Sequence, residues 1–160
     1  MFAPKRCDFR RSPGDVRTSD ESDRSPRTER GSARTNGRPP LRPLVPAFHV
    51  RSAECEGVPV VEVEGEIDIL TAPALATALC DDHASADALV LDLAKVPFVS
   101  STGLRLIVSA HRRLSRRRGL ALAGLHANVV HVLEIVGLAD ALLVAADVPT
   151  AIQLLADRHD

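Results

Sequence analysis

The stretch Ala88-Leu89-Val90-Leu91-Asp92-Leu93, followed four residues later by Phe98-Val99-Ser100-Ser101-Thr102-Gly103-Leu104, decides the fold. A short, nearly continuous run of aliphatic residues reads as a strand near the centre of a sheet, buried on both faces. Beyond it, Leu104, Ile107, Val108, His111 and Leu114 recur at the i, i+3, i+4 spacing of one helical stripe, while Arg105, Ser109, Arg112 and Arg116 fall on the other side. A helix is predicted from about Ser101 to Arg117, with a hydroxyl cluster at its start. Helix N-termini carry unpaired N–H groups and a partial positive charge, so they accept anions well. A serine there serves as a cap, a nucleophile or a site of phosphorylation.

Reading outward gives alternating elements. Val60-Val61-Glu62-Val63-Glu64 alternates as a strand with one wet face, and Gly65 breaks it. Thr71 is placed to cap a helix beginning Ala72-Pro73 and running to about Cys80, since proline suits a first helical turn. Downstream, Gly119 stops the serine-led helix and Leu120-Ala121-Leu122-Ala123 forms a short strand. Asn128 starts a helix through Val136, stopped by Gly137, and Leu142-Leu143-Val144 is the last strand. Asp147 caps a final helix with Pro149 in its first turn. The order β, β, α, β, α, β, α, β, α predicts an α/β fold with several parallel neighbours.

Composition divides the chain. Residues 1–45 hold 11 Lys/Arg against 6 Asp/Glu, a net +5, whereas residues 46–160 hold 9 against 15, a net −6. The first region has no apolar periodicity and is rich in Arg, Ser and Pro, so it is expected to be a disordered basic tail preceding one folded domain over 46–160. No apolar run approaches the ~18 residues of a membrane span. Arg6, Asp8, Arg10 and Arg11 interrupt any signal-peptide core, which predicts a cytoplasmic location. Cys7, Cys55 and Cys80 are scattered without CxxC spacing and read as ordinary thiols, with no disulfide framework or zinc site.

The chemistry of catalysis is not visible. GxxxxGK[ST], GxGxxG and GxSxG are all absent. His111 lies about 15 Å along the helix from Ser101 at ~1.5 Å per residue, too far to act as its base. His49, His83, His126, His131 and His159 lack metal-ligand spacing, and Glu62, Glu64 and Glu66 read as a solvated face. No catalytic, metal-binding or cofactor-binding residue is assigned, and an enzyme is not expected. Arg112, Arg113, Arg116, Arg117 and Arg118 suit a helix C-terminus electrostatically. The folded part is acidic and the chain has no Trp or Tyr, so direct DNA binding by the domain is not expected. Ser101 precedes Arg105 by one turn and shares its exposed edge, and Gly103 lets the first turn approach a neighbour. As a cap, Ser101 would contribute ~1 kcal/mol, and Ser100 fits the same role.

Three segments resemble the bacterial anti-sigma factor antagonists, the soluble branch of the STAS domain family. Gly65-Glu66-Ile67-Asp68 with Thr71-Ala72 resembles the family's G-E-[LI]-D segment. Asp92-Leu93-Ala94-Lys95-Val96-Pro97-Phe98 resembles its D-L-x-x-[VL]-x-F strand exit, and Ser100-Ser101-Thr102-Gly103-Leu104 its D-S-[ST]-G-L phosphorylation loop. Val132-Leu133-Glu134-Ile135-Val136-Gly137-Leu138 is a weaker echo of the third-helix segment. The resemblance implies a mixed sheet of four to five strands with about four helices, mainly on one face. It implies Ser101 as the phosphoacceptor, with Asp68, Ser100, Thr102, Gly103 and Arg105 on the partner-binding surface.

The implied partners are a serine-kinase-type anti-sigma factor, which would phosphorylate Ser101 with ATP, and a serine phosphatase that reverses this. The unmodified form would hold the anti-sigma factor and free a sigma factor. A phosphoserine adds about −1.5 to −2 charges, tolerated at a helix N-terminus but opposed by a tightly packed partner surface. The family usually has Asp where this chain has Ser100. The alternative that follows is a non-phosphorylated STAS interaction module.

Overall fold

The computed structural model describes residues 47–158; the expected tail over residues 1–45 lies outside the described residues. Strands β1 (His49–Cys55) and β2 (Val58–Glu64) form an antiparallel hairpin. Glu56 and Gly57 turn it with φ of 53° and 76°, the positive pair that a tight two-residue hairpin turn requires. Next come helix α1 (Ala72–Ala76), strand β3 (Ala88–Lys95), helix α2 (Ser101–Leu114) and strand β4 (Gly119–Ala123). Helix α3 (Ala127–Ile135), strand β5 (Leu143–Ala145) and helix α4 (Val148–Asp157) complete the order. The sheet runs β1-β2-β3-β4-β5, with β2 through β5 parallel, a mixed five-stranded sheet within the four to five strands that the resemblance implied.

Period-2 alternation assigns each strand residue to a face. On one face, Val61, Val63, Leu89, Leu91, Leu93, Leu120 and Leu122 pack under α1, α2 and α3. On the other, Val60, Val90, Ala121, Ala123 and Ala145 lie against Ala151, Ile152 and Leu155 of α4. Three helices therefore share one face and one covers the other. The run in β3 is central, and Leu89, Val90 and Leu91 are fully buried.

Several boundaries differ from the sequence reading, each for a local reason. Helix α1 tightens no further than Ala76 and continues as a π-helical turn over Thr77–Asp81. Thr71 does not cap α1 through its side chain. Its hydroxyl donates to the Glu66 carbonyl at 2.9 Å and accepts from the Asp68 amide at 2.8 Å, and Asp68 Oδ1 holds the turn before the helix through Leu70 and Thr71 N–H. Helix α3 is entered from His126, whereas Asn128 donates its side-chain amide to the Pro97 carbonyl. Helix α2 stops at Leu114 and turns into β4, with Arg118 N–H donating to Asp87 O at 2.9 Å and the Arg117 side chain pairing with Asp87. Cys80 is a free, half-buried thiol, as expected, while Cys7 lies outside the described residues.

Candidate functional site

Because β2, β3 and β4 are parallel, the loops leaving them emerge at one end of the sheet. Two of these loops are tied together. Ile67 and Val99 form an isolated parallel bridge, with Ile67 N–H donating to Phe98 O at 3.0 Å and Ser100 N–H to Ile67 O at 2.8 Å. The segment before α1 is thereby fixed beside the start of α2, and Asp68 stands next to the serine cluster.

The first turn of α2 resolves which serine does what. Ser100 has extended backbone (φ −76°, ψ 169°), and its Oγ accepts from Gly103 N–H at 3.3 Å. Ser100 is the N-cap. Ser101 follows as the first helical residue, and it is exposed. Among the described residues its hydroxyl has no hydrogen-bond partner. Ser100→Ala should cost about 1 kcal/mol of stability, the usual value of a cap, while Ser100→Asp should retain it. Urea unfolding of the three proteins checks this, and a neutral Ser100→Ala would discard the cap assignment.

Gly103 packs inward. A Cβ there would lie 2.5 Å from Ile67 Cγ2 and 2.9 Å from Val99 Cγ1, so the helix start sits directly on the bridge between the two loops. Thr102 is half-buried, and Arg105 is exposed one turn after Ser101. The structure thus brings Asp68, Ser100, Ser101, Thr102 and Arg105 to one end of the sheet, with Gly103 beneath them.

The Asp68 carboxylate is occupied within its own loop. Its Oδ1 accepts from Leu70 N–H at 2.8 Å and Thr71 N–H at 2.9 Å. The Thr71 amide bond is the main cause that holds its pKa below the ordinary aspartate value, with the Leu70 amide and the Thr71 hydroxyl adding to it. A depressed carboxylate pKa contributes stability above the unfolded pKa and loses it as pH falls through the folded pKa. The difference in urea midpoint between wild type and Asp68→Ala should therefore shrink as pH falls below 4. An unchanged difference would show that the carboxylate charge does not hold the loop.

This loop presents two residues the sequence reading missed. Ile69 is 74% and Leu70 84% exposed, and Phe98 across the bridge is 48% exposed. Large apolar side chains so exposed beside a polar cluster mark a contact surface. The sequence signal was present: an apolar pair between Asp68 and Thr71 in a segment that fits neither period. On the other flank of Ser101 an open groove of about 480 Å³ runs between α2 and the end of α3. At the last residue of β3, Lys95 Nζ pairs with Glu62 at 2.6 Å, which raises the lysine pKa. Burial raises that of the neighbouring Asp92. Among the described residues no group of His, Cys, Asp or Glu is arranged to hold a metal ion. None of the helices described there is long and apolar enough to cross a membrane.

Comparison with known proteins follows the same outline. The family model described as STAS domain matches residues 49–151. An anti-sigma-F factor antagonist, RsfB, of Mycobacterium tuberculosis is 37% identical over 68 residues, covering 42% of this chain and 56% of that protein. An anti-sigma-B factor antagonist of Listeria monocytogenes is 40% identical over 81 residues, covering 49% of this chain and 70% of that protein. Among solved structures, an anti-sigma factor antagonist from Mycobacterium paratuberculosis superposes with a TM-score of 0.65 at 29% identity, over 69% of this chain and 96% of the other.

Proposed function

The chain belongs to the STAS domain family, and on that footing we propose that it is an anti-sigma factor antagonist controlled at Ser101. In this reading it binds a serine-kinase-type anti-sigma factor and so releases a sigma factor. Phosphorylation of Ser101 ends the binding, and a serine phosphatase restores it. Its role is that of a binding protein rather than an enzyme, with no cofactor of its own.

One observation carries the proposal. Ser100 supplies the helix cap, which leaves the Ser101 hydroxyl exposed and uncommitted at the positive end of α2. A phosphoryl group added there meets the helix dipole and has Arg105 one turn away, so the fold tolerates it. The partner surface does not. Ile69, Leu70 and Phe98 make the surroundings apolar, and burying a dianion among them against a partner is costly. Relatives named as anti-sigma factor antagonists in two bacteria support the same assignment.

The test is direct. Full-length protein is incubated with ATP and a serine-kinase-type anti-sigma factor from the same organism. Intact mass should rise by one phosphate, and Ser101→Ala should gain none. Equal gain by Ser101→Ala would move the acceptor elsewhere. A complex that forms without any phosphate transfer would favour the second reading, a non-phosphorylated interaction module. That reading draws on Ser100, which stands where the family usually carries aspartate.

A further inference from the structure

The groove beside Ser101 has a chemistry of its own. Leu104 and Val108 form one wall, spaced i, i+4 along α2, and Val136 and Leu138 form the other. None of the four is fully buried, and Val136 is 48% exposed. Arg105 and Arg112 also line it, seven residues apart on the outer edge of α2. That spacing is two helical turns, about 10 Å at ~1.5 Å per residue. Both are exposed, and among the described residues neither has an ion pair or hydrogen bond. Of the arginines beyond, Arg113 donates to the Leu79 and His83 carbonyls, and Arg117 pairs with Asp87 at 3.2 Å. No carboxylate lines the groove.

Charge complementarity selects the occupant. Residues 1–45 of this chain carry a net +5 and are repelled by a row of arginines. A second copy meeting the first about a two-fold axis would set one arginine row against the other. A single-headed anionic amphiphile satisfies only one of two guanidinium groups two turns apart. A helix laid along α2 satisfies both, because its own side chains repeat on one face over the same distance.

We infer that the α2–α3 groove is the docking site for an acidic amphipathic helix of the partner, its apolar stripe seated on Leu104, Val108, Val136 and Leu138 and its carboxylates, two turns apart, on Arg105 and Arg112. The inference rests on the reading of Ser101 as part of the partner face, and it explains how the switch reaches the partner. Ser101 lies at the end of this groove. A phosphate on it draws Arg105 away from the incoming carboxylate and adds like charge beside it.

The full chain, labelled at leucine and valine methyls, is titrated with three probes. One is a synthetic amphipathic peptide with leucines at i, i+4, i+7 and glutamates two turns apart; the second has lysines in place of the glutamates; the third is laurate. The glutamate peptide alone should move the methyl signals of Leu104, Val108, Val136 and Leu138. Arg112→Glu should weaken it by at least about tenfold, with the remaining methyl spectrum unchanged as proof of folding. Equal binding of the lysine peptide, shifts with laurate alone, or no shift at all would each overturn the inference. Failure of the Ser101 reading shows separately, as absence of phosphate gain with the kinase while the glutamate peptide still seats.

Discussion

Ser101→Glu is expected to weaken the complex with a serine-kinase-type anti-sigma factor at least about a hundredfold, equivalent to ~2.8 kcal/mol at 1.4 kcal/mol per tenfold. The effect on the isolated domain should have the opposite sign. A carboxylate at the first position of α2 faces the positive end of the helix dipole, worth about 0.3–1 kcal/mol at an exposed site. Affinity and stability should therefore move in opposite directions in one variant, a combination that simple unfolding cannot produce. Titration calorimetry of the complex and thermal unfolding of the free protein measure the two. Wild-type affinity in Ser101→Glu would show that the serine stands outside the binding face.

Gly103→Val should lower stability by about 2–3 kcal/mol, because overpacking of a close contact costs on that order. The position is informative because two principles oppose each other there. Helix propensity alone favours alanine over glycine by about 1 kcal/mol within a helix. Yet even a Cβ would stand 2.5 Å from Ile67 Cγ2 and 2.9 Å from Val99 Cγ1. Gly103→Ala should therefore destabilise despite its better propensity. In a double-mutant cycle, Gly103→Ala with Ile67→Ala should cost less than the sum of the single changes. Strict additivity, or a stabilising Gly103→Ala, would mean that α2 can slide off the bridge at little cost.

The parts of the fold legible in the sequence were those set by period and by terminal residues. The aliphatic run Ala88–Leu93 read as a central strand and Asp147 with Pro149 as a helix start; Asp147 Oδ1 indeed accepts from Thr150 N–H at 2.9 Å. The exposed edge of Ser101, Arg105, Ser109 and Arg112 also followed from period alone. What escaped were competitions among equivalent groups. Thr71 and Asp68 stand three residues apart and both suit a cap, and the Glu66 carbonyl in the same loop claims the Thr71 hydroxyl. Asn128 looked like a helix start because its pull toward Pro97 spans thirty-one positions. The π-helical turn at Thr77–Asp81 lies in an alanine-rich stretch whose composition suits any helical pitch. At the site, the hydroxyl cluster opening α2 was legible as a pattern, but the apolar rim of Ile69, Leu70 and Phe98 was not. Exposure of a hydrophobic residue is decided by what the rest of the chain fails to cover.

The short parallel bridge between Ile67 and Val99 has a consequence for any enzyme acting on Ser101. Ile69 and Leu70 are more than thirty residues from Ser101 along the chain, yet the bridge anchors both loops to the same pair of amides and carbonyls. An enzyme that reads this surface reads a conformational epitope. A linear fragment around Ser101 carries the hydroxyl but neither the cap geometry nor the neighbouring loop, so under the proposed switch it should gain phosphate more slowly than the folded domain.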